Sequence, residues 1–180
     1  MKKFSLAAAV SSLFLAVNGA FAHDVVLDFT GKVTQATCKI EGAAEGGQLT
    51  KLVALSDVST NALSNAGDVA GVQAVSLNLN GCTGTKVEAK FNHLAGAIDI
   101  GTGALRNTVT AAENGADVQV QLLDKQYQPI TLGIENTPID VVMMGGDTAV
   151  VGFYAQYLAG YGPATAGDFK AQIMLDFSYE

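Results

Sequence analysis

The chain has 180 residues, a formal net charge of −7 and only three prolines, and 49% of its residues are hydrophobic. This composition excludes a disordered chain, and the acidic balance disfavours nucleic acid and anionic lipid as partners. The length suits one domain with a core of its own.

The first 22 residues predict a secretory signal peptide. Lys2 and Lys3 precede an apolar run from 6 to 17, and Ala20-Phe21-Ala22 then offers the small residues at which a signal peptidase cuts. A retained anchor is the alternative, but the run is short for a permanent membrane span. We therefore expect residues 1–22 to be removed, His23 to begin the mature chain, and no later segment to insert stably into a membrane.

The next segment, residues 23–33, is predicted to be an extended arm with one apolar face. That face is formed by Val25, Leu27, Phe29, Gly31 and Val33, and the opposite face is polar apart from Val26. A glycine weakens an ordinary strand unless another chain approaches closely at that point. The arm is therefore either the first strand of its own sheet or a strand that pairs elsewhere.

Cys38 and Cys82 are the only cysteines. In an exported protein, two cysteines predict one structural disulfide. A redox pair would need C-x-x-C spacing, and a zinc site would need more cysteine or histidine ligands. On the chain-entropy estimate, closing a loop of this length stabilises the fold by about 4 kcal/mol.

Residues that alternate between apolar and polar predict three strands in the middle of the chain. Their apolar positions are Val75, Leu77 and Leu79, then Val87, Ala89 and Phe91, then Val118, Val120 and Leu122. A fourth strand, 151–157, is β-branched and aromatic, which indicates fuller burial. The segments 42–47, 61–71, 114–115, 145–147 and 160–162 are predicted turns or loops, with a short helical turn allowed at 61–66. Short strands separated by turns predict a single-domain, two-sheet sandwich.

The last thirteen residues, 168–180, are predicted to form one long strand with a strongly apolar face. The odd positions carry Phe169, Ala171, Ile173, Leu175, Phe177 and Tyr179, and the even positions are polar except Met174. An ordinary terminal strand of a complete sandwich would show the same alternation, so both interpretations stay open on pattern alone.

Catalytic and cofactor motifs are sparse. His23 and His93 are the only histidines and belong to no metal-binding arrangement. No nucleophile elbow is present, and Gly101-Thr102-Gly103 is more typical of a turn than of a phosphate loop. The acidic residues Asp124, Glu135 and Asp140 are scattered, as on a solvated surface. We expect no enzymatic activity, no cofactor and no metal.

An ordered set of features resembles the fimbrial (pilus) subunits of the chaperone–usher class, of the type 1 pilin kind. The set comprises the arm Phe29-Thr30-Gly31-Lys32-Val33 before Cys38, the strand 77–81 that leads into Cys82, the runs 118–124 and 153–157, Ala164-Thr165-Ala166-Gly167, and the terminal alternation with penultimate Tyr179.

The resemblance implies an all-β, incomplete immunoglobulin-like sandwich that lacks its last strand and is completed by donor-strand exchange. It implies that the pilin domain spans 34–180, that the arm 23–33 fills a neighbouring subunit's groove, and that the receiving groove runs along Gly167 and Phe169–Tyr179. It implies as partners a periplasmic chaperone that contacts Tyr179 and the carboxylate of Glu180, an outer-membrane usher, and further subunits of a surface fimbria that supports bacterial adhesion.

Two questions stay open on the sequence. A self-contained, secreted immunoglobulin-like binding module is the alternative function, and it predicts that residues 23–33 pair within their own domain. The arm before Cys38 has fifteen residues if cleavage follows Ala22, shorter than in many rod-forming major pilins. Both a major rod subunit and a minor linking subunit therefore remain possible.

Overall fold

Ten strands make up the regular structure of the chain in a computed structural model that describes residues 37–43, 49–92, 96–133, 138–142 and 146–179. The strands are β1 (Lys39–Ile40), β2 (Val69–Asn80), β3 (Lys86–Asn92), β4 (Ile98–Asp99), β5 (Ala104–Arg106), β6 (Gln119–Leu123), β7 (Pro129–Ile130), β8 (Pro138–Val142), β9 (Ala149–Leu158) and β10 (Met174–Tyr179). Two short 3-10 helices, Thr60–Leu63 and Ala111–Glu113, lie in the connections. The predicted all-β fold class is confirmed.

The strands form two sheets in which every pairing is antiparallel. The first sheet has the order β1-β2-β9-β6-β5-β4, and β7 also pairs with β6. The second sheet has three strands in the order β10-β3-β8, so β3 lies in its centre. In the second sheet Met174 pairs with Asn92 and Tyr179 with Val87. The C-terminal strand thus lies at an edge of the smaller sheet.

Alternate residues of β2 and β3 contribute to the core, as the period-two patterns predict. In β3, Val87, Ala89 and Phe91 are at most 4% exposed, while Lys90 and Asn92 between and after them are exposed. In β2, Val75, Leu77 and Leu79 are buried in the same way. Each face of a strand therefore keeps one environment, as a half-buried sheet requires. In β9, Val151 and Ala155 are buried, but Phe153, Tyr154 and Tyr157 are only half-buried, so this strand is less fully buried than predicted.

The predicted disulfide is present between Cys38 and Cys82. Cys38 directly precedes β1, and Cys82 follows the end of β2, where Ile40 pairs with Leu79. Both cysteines are buried in the cluster that contains Leu77, Leu79 and Val87. The disulfide therefore closes one end of the β1–β2 strand pair, in which β1 has only two residues.

The structure corrects two details of the predicted strands and loops. The loop expected at 61–71 ends earlier, because β2 begins at Val69 and its pairing with β9 is irregular between Ala70 and Gln73. In β6, Gln119 is buried rather than exposed, since its side chain accepts a hydrogen bond from the Thr102 hydroxyl at 2.6 Å. Within the described ranges, no helix is long and apolar enough to cross a bilayer.

Candidate functional site

The C-terminal strand leaves one edge open. β10 pairs with β3 on one side, and among the described residues no strand pairs with its other side. Nor does any described side chain hydrogen-bond to the backbone of Met174–Tyr179 from that side. An edge that presents unpaired N–H and C=O groups is a template for a further strand.

The apolar face of this C-terminal segment is incompletely covered. The six apolar side chains at the odd positions are all only half-buried, namely Phe169, Ala171, Ile173, Leu175, Phe177 and Tyr179. The neighbouring strand β3, whose apolar face points to the same core, leaves Val87, Ala89 and Phe91 at most 4% exposed. Burial of apolar surface stabilises by roughly 25 cal/mol per Å² removed from water, so each half-buried side chain contributes less than it would if it were fully buried. Within the described ranges, this face is therefore less fully covered than the face of β3.

The predicted strand 168–180 is shorter in the structure, where it begins at Met174. The backbone N–H and C=O of Asp168 bond instead to Asn114 and Ala116, and the C=O of Lys170 accepts from Thr108 N at 2.8 Å. The start of the segment is thus fastened to the connection between β5 and β6. Among the described residues, the backbone groups of Phe169, Ala171 and Ile173 have no hydrogen-bond partner.

Asn107 is the residue that fastens the start of this segment. Its side-chain N–H groups donate to the C=O of Ala116 and of Asp168, both at 2.8 Å. Its side-chain oxygen accepts from the N–H of Val109 and of Lys170, both at 3.0 Å. The amide thereby uses its full hydrogen-bonding capacity in joining three stretches of backbone.

Gly167, which was predicted to line the receiving groove, lies before the start of β10 and allows two stretches of backbone to pack closely. A Cβ placed there would collide with Asn114 O and with Ala116 N. The next residue, Asp168, forms a parallel bridge with Gly115. The close approach of these two backbone stretches therefore requires glycine at 167.

Residues 49–58 contact the same core clusters as the C-terminal segment 169–179, which the sequence did not predict. We call residues 49–58 the second wall, the segment 169–179 being the first. They belong to no strand, and their backbone makes no hydrogen bond within the described part of the chain. Leu55 packs against the same core cluster as Phe169, Ala171 and Ile173, and Val58 packs with Phe169 against the cluster of Leu63. We call the space bordered by residues 49–58 and 169–179 the acceptor groove.

Gly71 allows this second wall to lie close to β2. A Cβ at Gly71 would stand 2.9 Å from a methyl carbon of Val58 and 3.2 Å from the Tyr157 ring, and its φ is +70°. The only sequence signal for the wall is a group of apolar residues without strict alternation, Leu52, Val53, Leu55 and Val58. Leu52 is 91% exposed, which shows how little of the wall is covered.

The far end of the acceptor groove is marked by Tyr179. Its ring packs against the cluster that contains the disulfide, and burial raises the pKa of its hydroxyl. Glu180, predicted to contact a partner beside it, lies outside the described residues, as do His23, His93 and Glu135. The predicted arm also lies outside them, with Val25, Leu27, Phe29, Gly31 and Val33.

The described residues hold no group of three or more acidic, histidine or cysteine side chains that could bind a metal. The buried carboxylate of Asp99 serves the turn at Gly101–Gly103 instead. It accepts from the N–H of Gly101 and Thr102 and from the Tyr161 hydroxyl, and it faces Arg106 at 3.2 Å. The Tyr161 hydrogen bond and these backbone N–H groups hold the pKa of Asp99 below its usual range.

Comparison with known sequences connects this architecture to surface fibres. A family described as fimbrial protein matches residues 27–180. The major fimbrial subunit SMF-1 of Stenotrophomonas maltophilia (strain K279a) is 34% identical over 171 residues, covering 92% of this chain and 96% of that protein. The F17 fimbrial protein of Escherichia coli is 35% identical over 184 residues, covering 97% of this chain and 94% of that protein.

A solved structure of a chaperone–usher pilus, described for its rod uncoiling, shares the fold. It aligns with a TM-score of 0.59 at 15% identity and covers 88% of this chain and 96% of the pilus chain. At this level of identity the likeness concerns the arrangement of strands.

Proposed function

The chain belongs to the fimbrial protein family and is a structural subunit that polymerises with other subunits in a surface fimbria, and we propose that its joints form by β-strand exchange in a chaperone–usher pilus. In each joint, the arm 23–33 of one subunit fills the acceptor groove of the next. The family gives no catalytic role to any residue, and none is needed for this reaction.

The observation that carries this proposal is the open edge of β10 with its half-buried apolar face. A strand added beside β10 gains backbone hydrogen bonds along the edge, whatever its side chains are. Apolar side chains at alternate positions of that strand would cover Phe169, Ile173, Leu175 and Phe177. The backbone bonds then give affinity, and the alternating side chains give the register.

The arm has the dimensions and the pattern for this place. Its apolar positions run from Val25 to Val33, which is about 27 Å in an extended strand, and the groove positions run from Phe169 to Tyr179, about 34 Å. Leu27, Phe29 and Val33 are large apolar side chains, and each stabilises by roughly 1.5–3 kcal/mol when fully buried. Gly31 suits a point where the groove is too shallow for a side chain.

Before assembly the same edge needs a temporary cover, because an exposed apolar edge leads to aggregation. We assign this cover to a strand of a periplasmic chaperone, with Tyr179 and the carboxylate of Glu180 near its basic residues. An outer-membrane usher then exchanges the chaperone strand for the arm. This route needs export, with residues 1–22 as the cleaved signal and 34–180 as the pilin domain.

Within the fimbria, we place the chain in the main rod. The relative SMF-1, which matches over 92% of this chain, is itself described as a major fimbrial subunit. A rod made of many copies would support adhesion by carrying an adhesive tip away from the cell surface.

The proposal is tested by making the chain with and without a fimbrial chaperone. We expect aggregation or degradation of the chain alone, and a soluble one-to-one complex with the chaperone. A stable monomer that needs no added strand would contradict the proposal and favour a self-contained binding module.

A second test separates the arm from the groove. Leu27→Asp and Gly31→Leu should each stop polymerisation and leave the chaperone complex intact, because the arm is not part of the domain that the chaperone holds. Thr30→Asp is the matched control, since it adds the same charge as Leu27→Asp on the polar face of the arm. Loss of the chaperone complex in Leu27→Asp would show that the arm belongs to its own domain.

A further inference from the structure

In the part of the chain that the structure describes, a second strand edge without a strand partner lies on β2 in the larger sheet. β1 pairs with β2 only at Leu79 and Asn80, so β2 has no strand partner on this side along Ala74–Asn78 within the described residues. The C=O of Asn78 points to this side, because it accepts a hydrogen bond from Glu41 N at 2.8 Å. In an antiparallel strand, the backbone groups of every second residue share a side, so those of Ser76 and Ala74 point there too.

Two charged side chains occupy this edge. The Glu41 carboxylate accepts from the backbone N–H of Asn78 at 2.8 Å. The Lys51 ammonium donates to the C=O of Ser76 at 2.6 Å. The same Glu41 oxygen and the Lys51 nitrogen are 3.1 Å apart, so the two side chains also form an ion pair. Because each bonds a backbone group at the edge of β2, we call them the Glu41 and Lys51 caps.

The backbone of Glu41 is shaped for this contact. Its φ is +50°, a left-handed conformation that is uncommon outside glycine. The backbone turns at Glu41, directly after the end of β1. The Glu41 side chain then bonds to the N–H of Asn78, where a further residue of a paired strand would otherwise bond. The N–H of Asn78 and then Lys51 keep the pKa of Glu41 below its usual range, so the carboxylate is charged at neutral pH.

The two free edges therefore differ in a way that matters for a protein that joins by adding strands. At β10 no described side chain blocks the backbone, whereas a strand added to β2 would have to displace the Glu41 and Lys51 caps. Charged side chains at an edge are a general means of preventing unwanted strand pairing.

We propose that the Glu41–Lys51 ion pair determines where strands add, by closing the β2 edge so that an incoming strand enters only the acceptor groove. This inference rests on the proposed strand exchange. The partner it excludes is a second extended segment such as the arm of another copy.

The test counts bound strands. The chain in its one-to-one chaperone complex is mixed with a saturating excess of synthetic peptide 23–34, which is expected to displace the chaperone. Native mass spectrometry then gives the number of peptides per subunit. We expect one peptide for the wild type and a second for the double variant Glu41→Ala/Lys51→Met, with lateral association detected by thioflavin fluorescence. The matched control is Glu88→Ala/Lys90→Met, which removes an ion pair of 3.1 Å from the central strand β3 and should bind one peptide.

The outcomes separate the two proposals. If the wild type binds no peptide, strand exchange itself is wrong. If the wild type binds one peptide and the double variant also binds one without lateral association, only the edge-closing role is wrong. If the double variant does not fold, Lys51→Met decides, since it frees the C=O of Ser76 and leaves Glu41 on Asn78. A second, weaker binding step in Lys51→Met supports the inference, and its absence overturns it.

Discussion

Removal of the Asn107 side chain should loosen the start of the acceptor groove. Asn107→Ala deletes four hydrogen bonds, of 2.8 to 3.0 Å, that join residues 107–109, Ala116 and the segment 168–170. Each bond has a net worth of about 0.5–1.5 kcal/mol. Because Asn107 is half-buried, water can replace part of this, and we expect a loss of about 2–4 kcal/mol in the free energy of unfolding.

The assay is urea unfolding of the chain saturated with peptide 23–34, together with the rate at which labelled peptide dissociates. Peptide dissociation should accelerate, because Asn107 bonds the backbone of Asp168 and Lys170, on either side of Phe169. Asn61→Ala is the matched control, since this exposed side chain makes no hydrogen bond with the described residues. A loss below about 0.5 kcal/mol in Asn107→Ala, within the usual range for surface changes, would refute the role assigned to Asn107.

Three further predictions concern the domain itself. Replacing Cys38 and Cys82 by alanine should lower the free energy of unfolding by about 4 kcal/mol, because the disulfide closes a sequence separation of 44; unchanged urea unfolding would contradict this. Leu63→Ala should cost about 2–5 kcal/mol by the same measurement, because Leu63 is only 1% exposed. Since the pKa of Asp99 is lowered chiefly by Tyr161, its stabilising contribution is present above about pH 4 and is lost as the pH falls through its folded-state pKa. Tyr161→Phe should raise that pKa and start the acid loss at a higher pH, and an unshifted NMR titration of Asp99 would rule this out.

Much of the fold follows from the period-two patterns of the sequence. Leu77, Leu79, Val87 and Ala89 alternate with polar residues, and each is buried in the structure. Alternation reports which face of a strand meets the core, and so it gave the apolar face of 169–179 correctly. It does not report which backbone a strand pairs with. That is why the hydrogen bonds of Asp168 and Lys170 to the β5–β6 connection were not foreseen.

The second wall and the charged edge were beyond the sequence for a different reason. Leu55 and Val58 follow no strict alternation. Their positions depend on tertiary packing, Leu55 against the core cluster that Phe169 also contacts and Val58 beside Gly71. Glu41 and Lys51 are ten residues apart and meet because both bind the backbone at the same edge of β2. Contacts of this kind arise from tertiary structure, for which a single sequence carries no local signal.

The pairing of β10 with β3 also sets the order in which the molecule can fold. Met174 meets Asn92 and Tyr179 meets Val87 across more than 80 intervening residues, whereas Leu123 meets Pro129 across a short turn. Going from the short loop to the long one is about four doublings of length, which costs about 2–3 kcal/mol in loop-closure entropy. Non-local pairing of this kind slows folding. When the chain is exported with its N-terminus first, β3 is exposed well before β10. During that interval the side of β3 that later pairs with β10 can bind wrong partners.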